Sequence, residues 1–307
     1  MSAAPGSLRR LWPLAIMLLL GIIWGGTPSI SKFIATHGVP PLGSVFWQSG
    51  LAAAVLLTIA YLRGGRVPLT WRAAGYFLAV GFVGYALPNA NMILVTGHIP
   101  AGLMAVVLTL NPVFTYLWIL ALRIERPNAR RAGGIALGLA GALVLVLPRG
   151  TLPDPAALPW LLGAFVTPVL YSFGNAWAEK HRPSGMDSFA LAGAMVGAAS
   201  VGMGVAALAT GTFHPIWQEA SAVNLVILFY AALSVAIFYL FFELIRLAGA
   251  LAVAQVAYIM TLMGLGWGAV LYGERPSPWV WLAIALVFAG VALVNFGKGA
   301  RKTAAEA

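Results

Sequence analysis

The sequence predicts an all-α membrane protein of ten transmembrane helices. They form two five-helix repeats of inverted topology, with both termini in the cytoplasm. Three observations carry this expectation. Of 307 residues, 61% are hydrophobic and 8% charged, with a mean hydropathy of +0.91. A soluble domain carries about a quarter charged residues, so the solvent implied here is lipid. The apolar residues fall into runs of about 20, the length a helix needs to cross a bilayer core. Finally, Leu122-Arg123-Ile124-Glu125-Arg126-Pro127 returns at an offset of 149 as Leu271-Tyr272-Gly273-Glu274-Arg275-Pro276. Ala140-Gly141 and Ala289-Gly290 share that offset, as do Trp24-Gly25 and Phe173-Gly174. Duplicated halves in a membrane protein are the usual mark of a transporter.

Span 1 is expected at 11–34. Arg9-Arg10 before an apolar run resembles the start of a signal peptide. The run continues to Ile34, lacks an Ala-x-Ala site and has a counterpart in the second copy, so it is read as a retained helix. Span 2 (42–62) lies between Pro40-Pro41 and Arg63-Gly64-Gly65-Arg66, and spans 3 and 4 occupy 73–96 and 101–122. The glycine-rich span 5 (131–148) ends at Pro148-Arg149-Gly150, with Pro153-Asp154-Pro155 just beyond. Spans 6 to 10 follow at 159–179, 188–209, 224–246, 250–272 and 279–297. The first repeat then covers 1–149, the second 150–300, and 301–307 form a cytoplasmic tail.

With the N-terminus inside, fifteen of the eighteen Lys and Arg residues face the cytoplasm. Lys32, Arg149 and Arg275 face out. This bias supports the helix count and both termini being inside. An odd number of spans per copy inserts the second copy upside down, and two inverted copies provide two near-equivalent packings, one open to each side.

Charges are scarce within the spans. Glu243 and Arg246 sit near the inner end of span 8, either as an interfacial pair reaching for water or as a gating pair. No carboxylate falls near mid-depth, which gives a simple carboxylate proton relay little support. Uncharged polar and aromatic residues are more informative. Span 1 carries Trp24, Thr27 and Ser31; span 3 carries Tyr85 and Asn89; span 4 carries Asn111 and Thr115. Span 6 carries Thr167, Tyr171 and Asn175, and span 9 carries Gln255, Tyr258 and Thr261. Pro28, Pro112 and Pro168 free carbonyls that a water-lined cavity can satisfy. Each polar residue singly could instead be interhelical glue. Together, five helices with stripes at similar depth favour a cavity, and the candidate substrate-binding residues are Trp24, Tyr85, Asn89, Asn111, Tyr171, Asn175, Gln255 and Tyr258. Trp12, Trp47, Trp71, Trp160, Trp217, Trp279 and Trp281 lie near span ends and are expected to anchor at the interface. Gly134/Gly138, Gly193/Gly197 and Gly264/Gly268 allow close helix contact, with packing inside one protomer as the default; monomer and homodimer both stay open.

Several classes are excluded. The basic excess is dispersed between apolar runs, which does not fit a nucleic-acid surface. There is no cysteine, hence no disulfide or thiolate chemistry. His-Glu-x-x-His, Gly-x-Ser-x-Gly and the phosphate-binding Gly-x-x-x-x-Gly-Lys are missing, and the four histidines lie near span ends. Neither enzymatic activity, a metal nor a cofactor is expected.

In this setting the chain resembles the EamA-like branch of the drug/metabolite transporter superfamily. The resemblance rests on Trp24-Gly25, Ser31-Lys32-Phe33, Pro40-Pro41, the stretch from Ala101 to Asn111-Pro112-Val113-Phe114, Glu125-Arg126, and the second set around Glu274-Arg275 and Gly290. It implies a multi-pass carrier of the bacterial inner membrane. A central cavity lined by spans 1, 3, 4, 6, 8 and 9 would export amino acids or related metabolites, aromatic ones included. Other readings are a non-transporting sensor or assembly subunit, or a carrier of amines, nucleosides or drugs. Members often carry an arginine in span 2, where this chain has Trp47-Gln48. The second copy has Met260-Thr261 where the first has Asn111-Pro112.

Overall fold

A computed structural model of the chain describes residues 5–68, 70–147, 152, 154–183, 185–217 and 221–296. The expected turn at 148–150, Pro153, and Lys298, Arg301, Lys302 and the tail lie outside the described residues, as do the side chains of Arg9, Arg10 and Arg246. Among the described residues every regular element is helical. The helices are α1 (Pro5–Gly25), α2 (Thr27–Thr36), α3 (Pro41–Leu62), α4 (Trp71–Phe77), α5 (Leu87–Thr96), α6 (Ala101–Leu108) and α7 (Asn111–Ala121). They continue with α8 (Ala129–Val146), α9 (Leu158–Ala164), α10 (Val166–His181), α11 (Ser188–Ala209), α12 (Ala222–Tyr272) and α13 (Pro278–Phe296).

Local chemistry explains the boundaries. Thr70, Asn128, Asp187 and Ser221 accept backbone amides at the starts of α4, α8, α11 and α12. Four expected spans change winding within their length, and each new segment carries a proline in its first turn: Pro28 in α2, Pro88 in α5, Pro112 in α7 and Pro168 in α10. Proline suits that place because its missing N–H would be unbonded anyway. Between α4 and α5 the chain winds as a π-helix over Leu78–Ala86. Such segments are rare and concentrate at functional sites.

Among the described residues nine helical stretches are long and apolar enough to cross a membrane, and Pro278–Val294 is a shorter apolar helix. Exposed aliphatic residues such as Val201, Val205, Leu208, Leu225 and Val270 supply lipid-facing surface. Spans 8 and 9, expected at 224–246 and 250–272, correspond to the apolar stretches Ala222–Ile245 and Gln255–Tyr272, joined without a non-helical loop. The helix runs unbroken from Ala222 to Tyr272, because Leu247-Ala248-Gly249-Ala250 contains neither proline nor a capping side chain. Even so, α12 is not a straight rod. The Phe241 ring centroid lies 6.4 Å from that of Trp24, while a Cβ on the next residue, Gly25, would meet the Met260 carbonyl at 2.6 Å. Nineteen residues of straight helix span about 28 Å, so the chain doubles back between Phe241 and Met260. Its first arm runs against α1 and its second arm alongside it.

Two other pairings fix the architecture. α3 packs along α11, with Phe46, Gly50 and Leu57 meeting Gly204, Ser200 and Gly193 in that order. α8 packs along α13, where Gly134 meets Gly290 and Gly141 meets Ala283. Both pairs run antiparallel. At the 149 offset Gly134 corresponds to Ala283 and Gly141 to Gly290, so exchanging the two copies returns the same contact pattern. The small residues singled out in the sequence serve this packing. Gly134 and Gly193 face helices of the other half-chain, and Gly264 and Gly268 face Ala105 and Gly102.

Candidate functional site

A hollow of about 370 Å³ lies between α1/α2, α3, the π segment with α5, α10 and the first arm of α12. Its polar floor is built from Thr27, Gln48, Tyr85, Asn89, Tyr230 and Ser234, and its walls from Trp24, Phe238, Phe241 and Phe242. The π segment places Tyr85 at its last turn. Gly84 lies beside it where that segment crosses α10: a Cβ on Gly84 would come within 2.5 Å of the Gly174 Cα. No larger residue fits this crossing. The lining includes two residues of opposite charge, Glu179 and Arg182, near the end of α10.

Five of the eight sequence candidates line the hollow: Trp24, Tyr85, Asn89, Tyr171 and Asn175. Trp24 packs edge-on to Phe241 and Tyr85 lies 6.2 Å from Phe238. Asn89 donates to the Tyr85 carbonyl at 2.8 Å and accepts from the Tyr230 hydroxyl at 3.4 Å. Asn111 stands one layer behind. Its Oδ1 accepts from the Asn175 amide and the Thr115 hydroxyl, both at 3.1 Å, so it orients Asn175 at the cavity face. Gln255 and Tyr258 do not line the hollow. They lie on the second arm of α12, where Tyr258 packs edge-on against Phe288 at 4.7 Å. Thr167 is interhelical glue, accepting from Asn91 at 2.8 Å, and Thr261 bonds the Ala257 carbonyl of its own helix.

Gln48 is among the lining residues that the stripe analysis missed, as are Tyr230 and Ser234. Gln48 is 1% exposed, donates to Ser234 at 3.2 Å and to Tyr85 at 3.4 Å, and its Oε1 is buried without a partner. Its place in span 2, where a basic residue is often found, was the available signal. Two of the tryptophans expected at the interface, Trp47 and Trp160, are half-buried and pack against residues of turns at helix ends. Trp47 lies among Phe46, Phe213 and Trp217 and donates to the His214 carbonyl at 2.6 Å, and Trp160 stacks on His98 at 3.7 Å. Trp71 and Trp12 are exposed.

The lining extends to Tyr76, Glu179 and Arg182 at one end of the bundle. Toward the other end the chain is tied together. Glu274 accepts from Lys32 Nζ at 2.6 Å and from the backbone amides of Ala101 and Gly102 at 2.7 and 2.8 Å. Lys32 lies eight residues beyond Trp24, about 12 Å along a helix. Glu274 thus neutralises a cation and caps the first turn of α6, two charge-assisted interactions on one carboxylate. Gly273, with φ +65°, turns the chain so that Glu274 points back at these groups.

Comparison with known proteins adds an independent finding. A family model described as the EamA-like transporter family matches residues 11–147 and again 158–296. No curated protein matches. Seventeen chains of solved structures match. One of them, titled only as the crystal structure of a protein, has a TM-score of 0.62 and 18% identity, over 92% of this chain and 96% of that one. That likeness speaks for the fold.

Proposed function

The chain belongs to the EamA-like transporter family, and from that premise we propose that it is a secondary carrier exporting small metabolites by alternating access. Membership makes it a membrane transporter of the drug/metabolite type and not an enzyme. Ten crossings in two inverted repeats, 1–149 and 150–300, with both termini in the cytoplasm of a bacterial inner membrane, complete the reading. The antiparallel pairing of α8 with α13 supports inversion, since parallel repeats would set counterpart helices parallel. The basic end of the bundle is the cytoplasmic one, so a cavity reaching Arg182 opens inward.

The observation that carries the proposal is the hollow between the helices, lined by polar and aromatic side chains, with Lys32, Ala101 and Gly102 gathered on Glu274 toward one end. Amino acids, aromatic ones included, are the favoured cargo. Trp24, Phe238, Phe241 and Phe242 offer stacking and cation–π faces, and Glu179 with Arg182 sum to zero charge. Trp24, Tyr85, Asn89, Tyr171, Asn175 and Gln48 would contact substrate, with Asn111 behind them. A second cargo, amines, is favoured by the unpartnered Gln48 acceptor among aromatic rings. Counterflow of labelled amino acids, amines and nucleosides in proteoliposomes tests the carrier. Exchange of an amino acid is expected, and no flux for any member of the panel would refute the proposal.

A further inference from the structure

We propose that Glu274 and Glu125 are the two carboxylates of a reciprocal latch, each closing one end of the carrier while the other is released. This inference rests on the alternating-access reading and assigns the residues that perform the switch.

The two residues occupy the same place in the two copies, Leu-x-x-Glu-Arg-Pro at 122–127 and 271–276. Both turns pass through a left-handed residue shortly before the carboxylate, Arg123 at φ +56° two residues ahead of Glu125 and Gly273 at +65° one residue ahead of Glu274. Their present partners differ. Glu274 holds Lys32 and the amides of Ala101 and Gly102, which are free to be held because the chain leaves helix at Gly97–Pro100 before α6 begins. At the 149 offset the counterparts of Ala101 and Gly102 are Ala250 and Leu251. These lie in the stretch of α12 between Phe241 and Met260 where its two arms reverse direction. Glu125 instead pairs with Arg131.

A cation is nevertheless in place on Glu125's side. Lys180 of α10, within one residue of the counterpart of Lys32, donates to the Leu122 carbonyl at 2.9 Å. The lining of the hollow reaches Glu179 and Arg182 toward this end, and the Glu274 contacts lie toward the other. If the copies exchange conformations, the fold-back of α12 takes the form that the first copy has at Gly97–Pro100. The amides of Ala250 and Leu251 are then presented to Glu125, which takes them together with Lys180 while Glu274 lets go. A carboxylate on fresh helix N-terminal amides is favourable in itself, so each latch compensates for the opening of the other. The bond energies nearly cancel across the cycle, which leaves bound substrate to bias it.

The chain has no cysteine, so single reporters are clean. Ser31→Cys, fully buried between hollow and latch, reports opening at the Glu274 end. Ala178→Cys on the cavity wall reports opening at the other. Labelling of detergent-purified protein by a bulky maleimide is measured at each site. Glu274→Gln should raise the Ser31→Cys rate about tenfold, as expected for losing a charge-assisted bond, and lower the Ala178→Cys rate. Adding Glu125→Gln, which keeps an acceptor toward Arg131, should return both rates toward the parent. Lys32→Met and Lys180→Met should act in the same opposed directions and carry the test if a glutamate variant fails to fold. The latch is overturned if the two sides move the rates in the same direction, or if Glu274→Gln and Lys32→Met both leave them unchanged. Labelling needs no substrate, so an empty flux panel would refute the carrier reading without touching this result.

Discussion

Replacing Gln48 by leucine separates a substrate contact from a structural one. Gln48 is buried, and its Oε1 meets no donor while its amide makes two long bonds, 3.2 Å to Ser234 and 3.4 Å to Tyr85. A buried unsatisfied acceptor is unfavourable by about 1–3 kcal/mol, and a neutral hydrogen bond contributes about 0.5–1.5 kcal/mol. Leucine, of similar size, removes both terms. Ser234 keeps its bond to the Tyr230 carbonyl at 2.9 Å. The net stability change should stay within about 1 kcal/mol, a Tm shift of about 2–4 °C for a chain of some 150–250 residues and smaller here. If Oε1 receives a substrate donor, binding instead loses about 1.4–2.8 kcal/mol, or ten- to a hundredfold in Kd. Counterflow kinetics beside thermal unfolding of the same preparation reads both quantities. An unchanged KM, or a Tm that falls in step with transport, would refute the assignment.

Other substitutions address neighbouring parts of the site. Asn111→Ala removes the acceptor that orients Asn175 and should weaken binding about three- to tenfold; Tyr171→Phe should act similarly, both measured by ligand-induced thermal shift. Gly84→Val forces carbon atoms 2.5 Å apart toward the ordinary 3.5–4.0 Å. It should lower stability by about 1–3 kcal/mol and abolish transport, read by unfolding and counterflow. Gly268→Ala sets a Cβ 2.4 Å from the Glu274 carboxylate and should raise Ser31→Cys labelling as Glu274→Gln does.

Much of the fold was legible because membrane helices are specified by length, proline and capping residues. Pro28, Pro112 and Pro168 marked the broken spans, and the Glu125 and Glu274 repeats marked the duplication. What sequence could not supply was helix rotation. Tyr85, Asn89, Tyr171 and Asn175 share faces that turn toward one hollow, whereas Gln255 and Tyr258 form an equally good stripe that packing turns elsewhere. Gln48, Ser234 and Tyr230 are isolated polar residues in apolar runs, so no stripe betrayed them. The reversal within α12 was legible only from the length of the apolar run, because Leu247-Ala248-Gly249-Ala250 is compatible with helix and carries no turn signal of its own. Lys32 read as one of three outer cations; its value as the partner of Glu274 depends on a contact across 242 positions of chain.

The central claim, that the two ends open in turn around one hollow, is tested most directly by distances between spin labels. One pair is placed at positions 98 and 275, across the Glu274 latch, and its counterpart at 247 and 126. Substrate added to the reconstituted protein should lengthen the first distance in the same population in which the second shortens. Distances that stay fixed, or that lengthen together, would contradict it.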